Sequence, residues 1–316
     1  MRQAPFEAMH AKEWEAFEAF LDGKKTFDPA EMPERFRRVC QSLALAAERH
    51  YSAELVERLN RLALRGHHAL YVNRRRESQQ VLQFLLAGFP RLVRAEWRLV
   101  AAAAILFFGP LGALVAILQL YPDFAHYLLS PEQIASFHQM YDPANKRLGM
   151  READSNVLMF GFYIWNNVRI GFQTFAGGML AGVGSAWFLG ANGVIIGAVA
   201  GYLTHAGFGE QFWSFVAGHS SLELVAIVLS GAAGLRLGLA LIAPGNRSRK
   251  AALVSAARPA VRVMYGAAAL FLAAAFVEAF WSPLTGVAFN VKIAVGIAGW
   301  VLLAAYLLLA GRRAAL

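Results

Sequence analysis

The chain has 316 residues, 57% of them hydrophobic and only 16% charged, with a mean hydropathy of +0.42. This excludes a single soluble domain of ordinary make-up, while the length suffices for a small soluble domain plus a helical membrane bundle. The net charge of +9 does not form a nucleic-acid stripe, because the basic residues flank apolar runs; the single cysteine, Cys40, excludes an intrachain disulfide and a thiolate metal cluster.

Residues 1–98 hold 17 of the 30 basic and 13 of the 21 acidic residues, with apolar positions at helical spacing, and are expected to form a soluble helical domain. The first residues, with Glu7, Glu13, Glu15 and Glu18, do not read as a cleaved signal peptide. Phe6, Trp14, Phe17 and Leu21 share one face of a first helix, and Phe36, Val39, Cys40, Leu43 and Ala47 one face of a second. Gly23, Pro29 and Pro33 punctuate the link. Ser52 is a good N-cap for a third helix carrying Leu55, Leu59 and Leu62, which Gly66 is expected to end. A fourth, basic helix runs from Leu70 through Arg74, Arg75 and Arg76 to Leu86, before Gly88 and Pro90.

Residues 99–120 carry no charge and, as a helix, reach about 33 Å against a hydrocarbon core of roughly 30 Å. They form the first predicted span, with a kink expected at Gly109-Pro110. Residues 121–155 mix Asp123, Glu132, Asp142, Glu152 and Asp154 with Lys146, Arg147 and Arg151, and read as an aqueous loop with a short helix over residues 131–140. From residue 156 to the C-terminus the pattern predicts a membrane bundle. It starts with an amphipathic segment and a span ending near Gly190, then has a tight Gly190-Ala191-Asn192-Gly193 turn and a short return helix to His205, which is either a crossing or re-entrant. Spans over 216–242, 261–280 and 291–310 follow. The fold class is thus all-α, a polytopic bundle of about six spans with an N-terminal soluble helical domain. Basic residues flank the spans at Arg91, Arg94 and Arg98, at Arg247, Arg249, Lys250, Arg258 and Arg262, and at Arg312 and Arg313. The positive-inside rule places all three groups, and both termini, in the cytoplasm.

Beyond residue 155 the only acidic residues are Glu210, Glu223 and Glu278. A carboxylate in the hydrocarbon region costs a few kcal/mol or more, so each survivor is a candidate for a paired or working group. His219 and Glu223, four apart, share one helix face, and Glu278 lies at the same end of the next span, so the three form a candidate intramembrane cluster. A relay, a ligand site and a structural clamp are all open to such a cluster. His-Ser-Ser-Leu-Glu is not the His-Glu-x-x-His arrangement of a zinc protease, so no metal or catalytic residue is assigned. Arg169 and Arg236 are the candidate counter-charges, with Arg236 expected to snorkel toward headgroups. Asn166 and Asn167, with Asn192, read as polar residues at bends or where the chain passes into the membrane. Gly178 and Gly182, then Gly193, Gly197 and Gly201, then Gly234 and Gly238 repeat at four-residue spacing, which allows close helix approach within one chain, with a homo-oligomer face as the alternative use. No phosphate-cradling signature or other cofactor motif is visible.

The ordered set Tyr163-Ile164-Trp165-Asn166-Asn167, Phe175-Ala176-Gly177-Gly178, Asn192-Gly193, Gly218-His219, Glu223-Leu224, Gly231-Ala232-Ala233-Gly234-Leu235, Glu278-Ala279-Phe280 and Ser282-Pro283 resembles the stage II sporulation protein M (SpoIIM) family. The N-terminal Arg49, Tyr51-Ser52, Leu59-Asn60 and Arg65-Gly66-His67 look like the version in bacteria that do not sporulate. Ser220 departs from the pattern, where a glycine commonly follows the histidine. The resemblance implies a multi-pass protein of the bacterial inner membrane acting within a complex. The expected role is a scaffold or assembly component without catalysis of its own, whose partners are other membrane or cytoplasmic proteins, including ATPase-containing membrane systems, reached through the N-terminal domain. A small permease or ion-coupled transporter using the His/Glu cluster is the rival expectation.

Overall fold

The computed structural model describes residues 2–24, 28, 31–141 and 153–312, with the backbone alone for 71–78 and 153–156. Pro29, residues 142–152 with their charged side chains, and Arg313 lie outside the described residues, as do the side chains of Arg74, Arg75, Arg76, Asp154 and Asn156. Twelve α-helices and no strands occur among the described residues, in two compact units, residues 1–84 and 85–316.

The first unit contains α1 (Gln3–Leu21), α2 (Met32–Glu48) and α3 (Ala53–Gln83). Phe6, Trp14, Phe17, Val39, Leu59 and Leu62 interlock as its core, the faces that helical spacing predicts. Ser52 caps α3 by accepting the Leu55 N–H at 3.4 Å. Gln3 clasps the same corner, donating to Ser52 Oγ at 2.8 Å and accepting the Ser52 N–H at 2.9 Å. Gly66 does not end α3, which runs 31 residues. A Cβ at Gly66 would lie 2.9 Å from Phe36 and 3.0 Å from Phe17, so this glycine makes room for two rings instead of terminating a helix.

The second unit follows a π-helical stretch, Phe84–Gly88, and contains α4 (Phe89–Ala95), α5 (Trp97–Leu120), α6 (Ala125–Leu128), α7 (Pro131–Tyr141), α8 (Ala153–Ala176), α9 (Val183–His205), α10 (Gly209–Ile242), α11 (Arg249–Phe280) and α12 (Phe289–Leu309). α5, α9, α10, α11 and α12 are long and apolar enough to cross a bilayer. α8, at 24 residues, runs antiparallel to α11, with Tyr163 near Ala275 and Ala279, and Gly171 against Phe271. Side chains facing out of the bundle are large and apolar, among them Ile105, Trp187, Ile195, Phe276, Val301 and Leu302. Such a surface is at home in lipid and a liability in water.

Two expectations change. α9 runs unbroken through Gly190-Ala191-Asn192-Gly193, and the reversal falls at residues 177–182, where Ala181 and Gly182 adopt φ of 52° and 82°. α10 and α11, at 34 and 32 residues, are about 51 and 48 Å long and overrun the predicted spans at their N-termini. In α11 the overrun carries Arg249, Lys250 and Arg258, so what reads as a basic loop is mostly a helix capped by Ser248, which accepts the Ala251 N–H.

Glycines set the closest helix contacts. A Cβ on Gly197 would stand 2.6 Å from the Leu111 carbonyl oxygen, and Gly193 and Gly201 meet α5 in the same way, at Phe107 and at Leu114 and Leu118. Gly178 abuts the backbone of Gly234, and Gly182 that of Gly238. All seven glycines of the four-residue repeats thus lie against other helices of the same chain, in the small-residue geometry by which backbones pack in lipid.

Candidate functional site

The antiparallel order gives the bundle two chemically distinct ends. At one, Arg91 Nε donates to the Gly311 carbonyl at 2.6 Å, and Arg94 donates to those of Leu307 at 2.5 Å and Ala310 at 2.7 Å, closing the C-terminus of α12. Tyr306 donates to the Leu85 carbonyl there. Arg236 forms an ion pair with Glu96 beside a cleft of about 640 Å³ that Arg98 and Arg247 also line. This corrects the snorkelling expectation: Arg236 finds its counter-charge inside the fold, in a residue just before the first span.

At the opposite end His219, 3% exposed, projects from α10 ten residues after the helix begins. Its Nε2 lies 3.7 Å from Glu223 Oε2, the stacking that four-residue spacing requires. Glu278 comes in from the last turn of α11, and one ligand atom from each of the three side chains lies within 4.8 Å of the others. His219 Nδ1 and Ser282 Oγ are hydrogen-bonded at 3.0 Å, and the Ser282 carbonyl accepts from Lys292 Nζ at 2.8 Å. Phe215 packs edge-on against the imidazole. A cleft of about 370 Å³, lined by Glu210, Gln211, Phe215, Ser282 and Lys292 among others, opens beside this group.

Outside the spanning helices, Tyr141 closes α7 and is buried against Phe212. Burial first, then the neighbouring Tyr163 and the Glu278 carboxylate, push its phenol up to about 12. Gln133 and Ser130 cap the start of the same helix reciprocally, at 2.9 and 3.3 Å.

The remaining candidates lie elsewhere. Asn166 and Asn167 are mid-helix in α8 and not at a bend. Asn167 is 1% exposed, and Asn166 accepts from Arg169 at 3.4 Å. Arg169 is exposed and lies over the Trp165 ring at 4.8 Å, outside the His219 group. Asn192 donates to the Phe188 carbonyl one turn back at 2.7 Å, which is how a mid-helix amide is satisfied in an apolar setting. Lys292 and the Glu96–Arg236 pair escape the sequence reading. The signal for Lys292 is a lone cation early in an otherwise apolar span.

Long antiparallel helices with apolar outer faces, glycine-packed backbones and a few buried polar groups define a multi-pass helical membrane protein. Residues 100–283 match the family described as Stage II sporulation protein M (SpoIIM), and the chain belongs to that family. Residues 4–72 match a family described as a domain of unknown function (DUF8413). No curated protein and no solved structure matches the chain. The SpoIIM match takes in His219, Glu223, Glu278 and Ser282 and stops before Lys292.

Proposed function

We propose that this protein is a scaffold or assembly component of a multiprotein complex in the bacterial inner membrane, with both termini cytoplasmic and no catalysis of its own. The observation that carries this reading is the close packing, at seven glycines, of the turn after α8 on α10 and of α9 on α5. Helices in contact at that distance resist the rocking that alternating access requires, whereas a rigid bundle suits a fixed platform. A separately cored helical unit at the N-terminus supplies a surface for a cytoplasmic or membrane partner, and the basic end of the bundle agrees with a cytoplasmic placement of both termini. Gentle solubilisation and affinity purification should return a stoichiometric protein partner that the N-terminal unit is needed to retain. Purified protein that carries no partner and moves a solute in reconstituted vesicles overturns the reading. The transporter alternative draws on the buried His219, Glu223 and Glu278, and it stands if vesicle flux depends on pH and is lost in Glu223→Gln.

A further inference from the structure

We propose that His219, Glu223 and Glu278 form a divalent-cation site of the zinc class, bridging α10 to α11. A tetrahedral ion with ligands at about 2.0–2.2 Å holds its donor atoms about 3.3–3.6 Å apart. The His219 Nε2 to Glu223 Oε2 separation of 3.7 Å is close to that edge length, and the whole triad fits within 4.8 Å, so side-chain rotations of about an ångström close it around an ion. One imidazole and two carboxylates form a borderline donor set, suited to zinc and neighbouring first-row divalent ions more than to calcium or magnesium.

Two further features fit this assignment. The bond between His219 and Ser282 fixes the ring: with Nδ1–H donating to Ser282 Oγ, the Nε2 lone pair faces the carboxylates, the outer-shell arrangement that orients ligand histidines. The second concerns charge. Two carboxylates converge in an apolar bundle, and no described ion pair sets a lysine or arginine against Glu223. Lys292, the cation of the same region, donates to the Ser282 backbone. A divalent ion supplies the counter-charge that the Glu223 carboxylate needs away from water. The cleft at Ser282 and Lys292 provides an approach from the aqueous side. No contiguous metal motif marks the triad, because two ligands come from one helix and the third from the next, 55 residues later. The assignment rests on this geometry and not on the scaffold reading, so either can fail alone.

The test uses the full chain in detergent micelles, loaded with Zn2+ and passed over a chelating resin. Elemental analysis should find about one zinc per chain. Glu223→Gln and Glu278→Gln, which keep size and hydrogen-bonding capacity, should each lower the retained metal at least tenfold, and Ser282→Ala should weaken binding by about ten- to a hundredfold as an orienting group does. Variants are compared only where helix content and elution match the unmodified chain. A readout independent of variants is Co2+ loading, which should give visible absorption bands of a low-symmetry nitrogen and oxygen site, displaced by Zn2+. Metal at background level together with no cobalt bands overturns the proposal, as does metal content unchanged in both Gln variants; the triad is then a hydrogen-bonded clamp.

Discussion

Gly178, in the turn between α8 and α9, and Gly190, inside α9, answer to different constraints. At Gly178 a methyl group would run into the backbone of Gly234, an atom set that cannot move aside without parting that turn from α10. Gly178→Ala should therefore destabilise the bundle by about 1–3 kcal/mol, the range for overpacking a tight contact. At Gly190 there is nothing within 4 Å of a Cβ, and the residue is in the interior of α9. Gly190→Ala should be neutral or stabilise by up to about 1 kcal/mol, through backbone entropy and helix propensity. Thermal or denaturant unfolding of the two variants in matched micelles checks both signs, and a damaging Gly190→Ala would restore the turn that the sequence pattern predicts there. Tyr141 carries a pH dependence. Its phenol is held at about 12, above the ordinary value of 10, so the fold favours the neutral form. The contribution is complete below pH 10 and is lost as pH rises toward 12, and it amounts to a few kcal/mol at most. Unfolding midpoints of the unmodified chain should fall more steeply over that window than those of Tyr141→Phe, and the variant should lack the latest-titrating tyrosine in near-ultraviolet absorbance.

At the scale of elements, the closing of α12 depends on arginines more than 200 residues away in sequence. Arg94 satisfies two terminal carbonyls and Arg91 a third, at a helix end where carbonyls have no partner of their own. Removing a charged donor from such a bond costs about 1.5–3 kcal/mol. Arg94→Ala should loosen the last turn of α12, seen as faster amide exchange at residues 305–311 with the bundle otherwise intact. Which elements were legible follows from the kind of signal each carried. Apolar runs and stripes foretold α5, α7 and α12 to within a few residues, and the existence of α1 and α2, because burial and length leave a one-dimensional trace. Turns were harder. Asn192-Gly193 looks like a reversal, yet Asn192 bonds one turn back and Gly193 makes room for α5, while the true reversal at residues 177–182 contains Gly178 and Gly182, read only as packing residues. A glycine needed for close approach and one needed for positive φ look the same in a sequence. The site was half legible: i, i+4 spacing brings His219 to Glu223, and matching helix ends bring Glu278 near. Ser282, Lys292 and Glu96 required the fold, since each meets its partner from a different element.

For the whole molecule, the antiparallel order of α5, α8, α9, α10, α11 and α12 carries a topological consequence. α5 begins, and α12 finishes, at the end where Arg91, Arg94, Arg98, Arg236 and Arg247 gather. Six traverses return the chain to its starting side, and basic residues are retained on the cytoplasmic side of bacterial membranes, so that end should face the cytoplasm and the α6–α7 segment the outside. Cys40 is the only native thiol, and a Cys40→Ala background makes position-specific labelling clean. Tyr127, 84% exposed on α6, and Arg247, in the link between α10 and α11, mark the two ends. In intact cells with a permeable outer envelope, Tyr127→Cys should react with a membrane-impermeant maleimide, and Arg247→Cys should react only after the inner membrane is opened. The reverse pattern would invert the chain and separate the basic cluster from its headgroup rationale. Labelling of both positions from one side would mean an even number of crossings between them, and α8 would then lose its place among the spans.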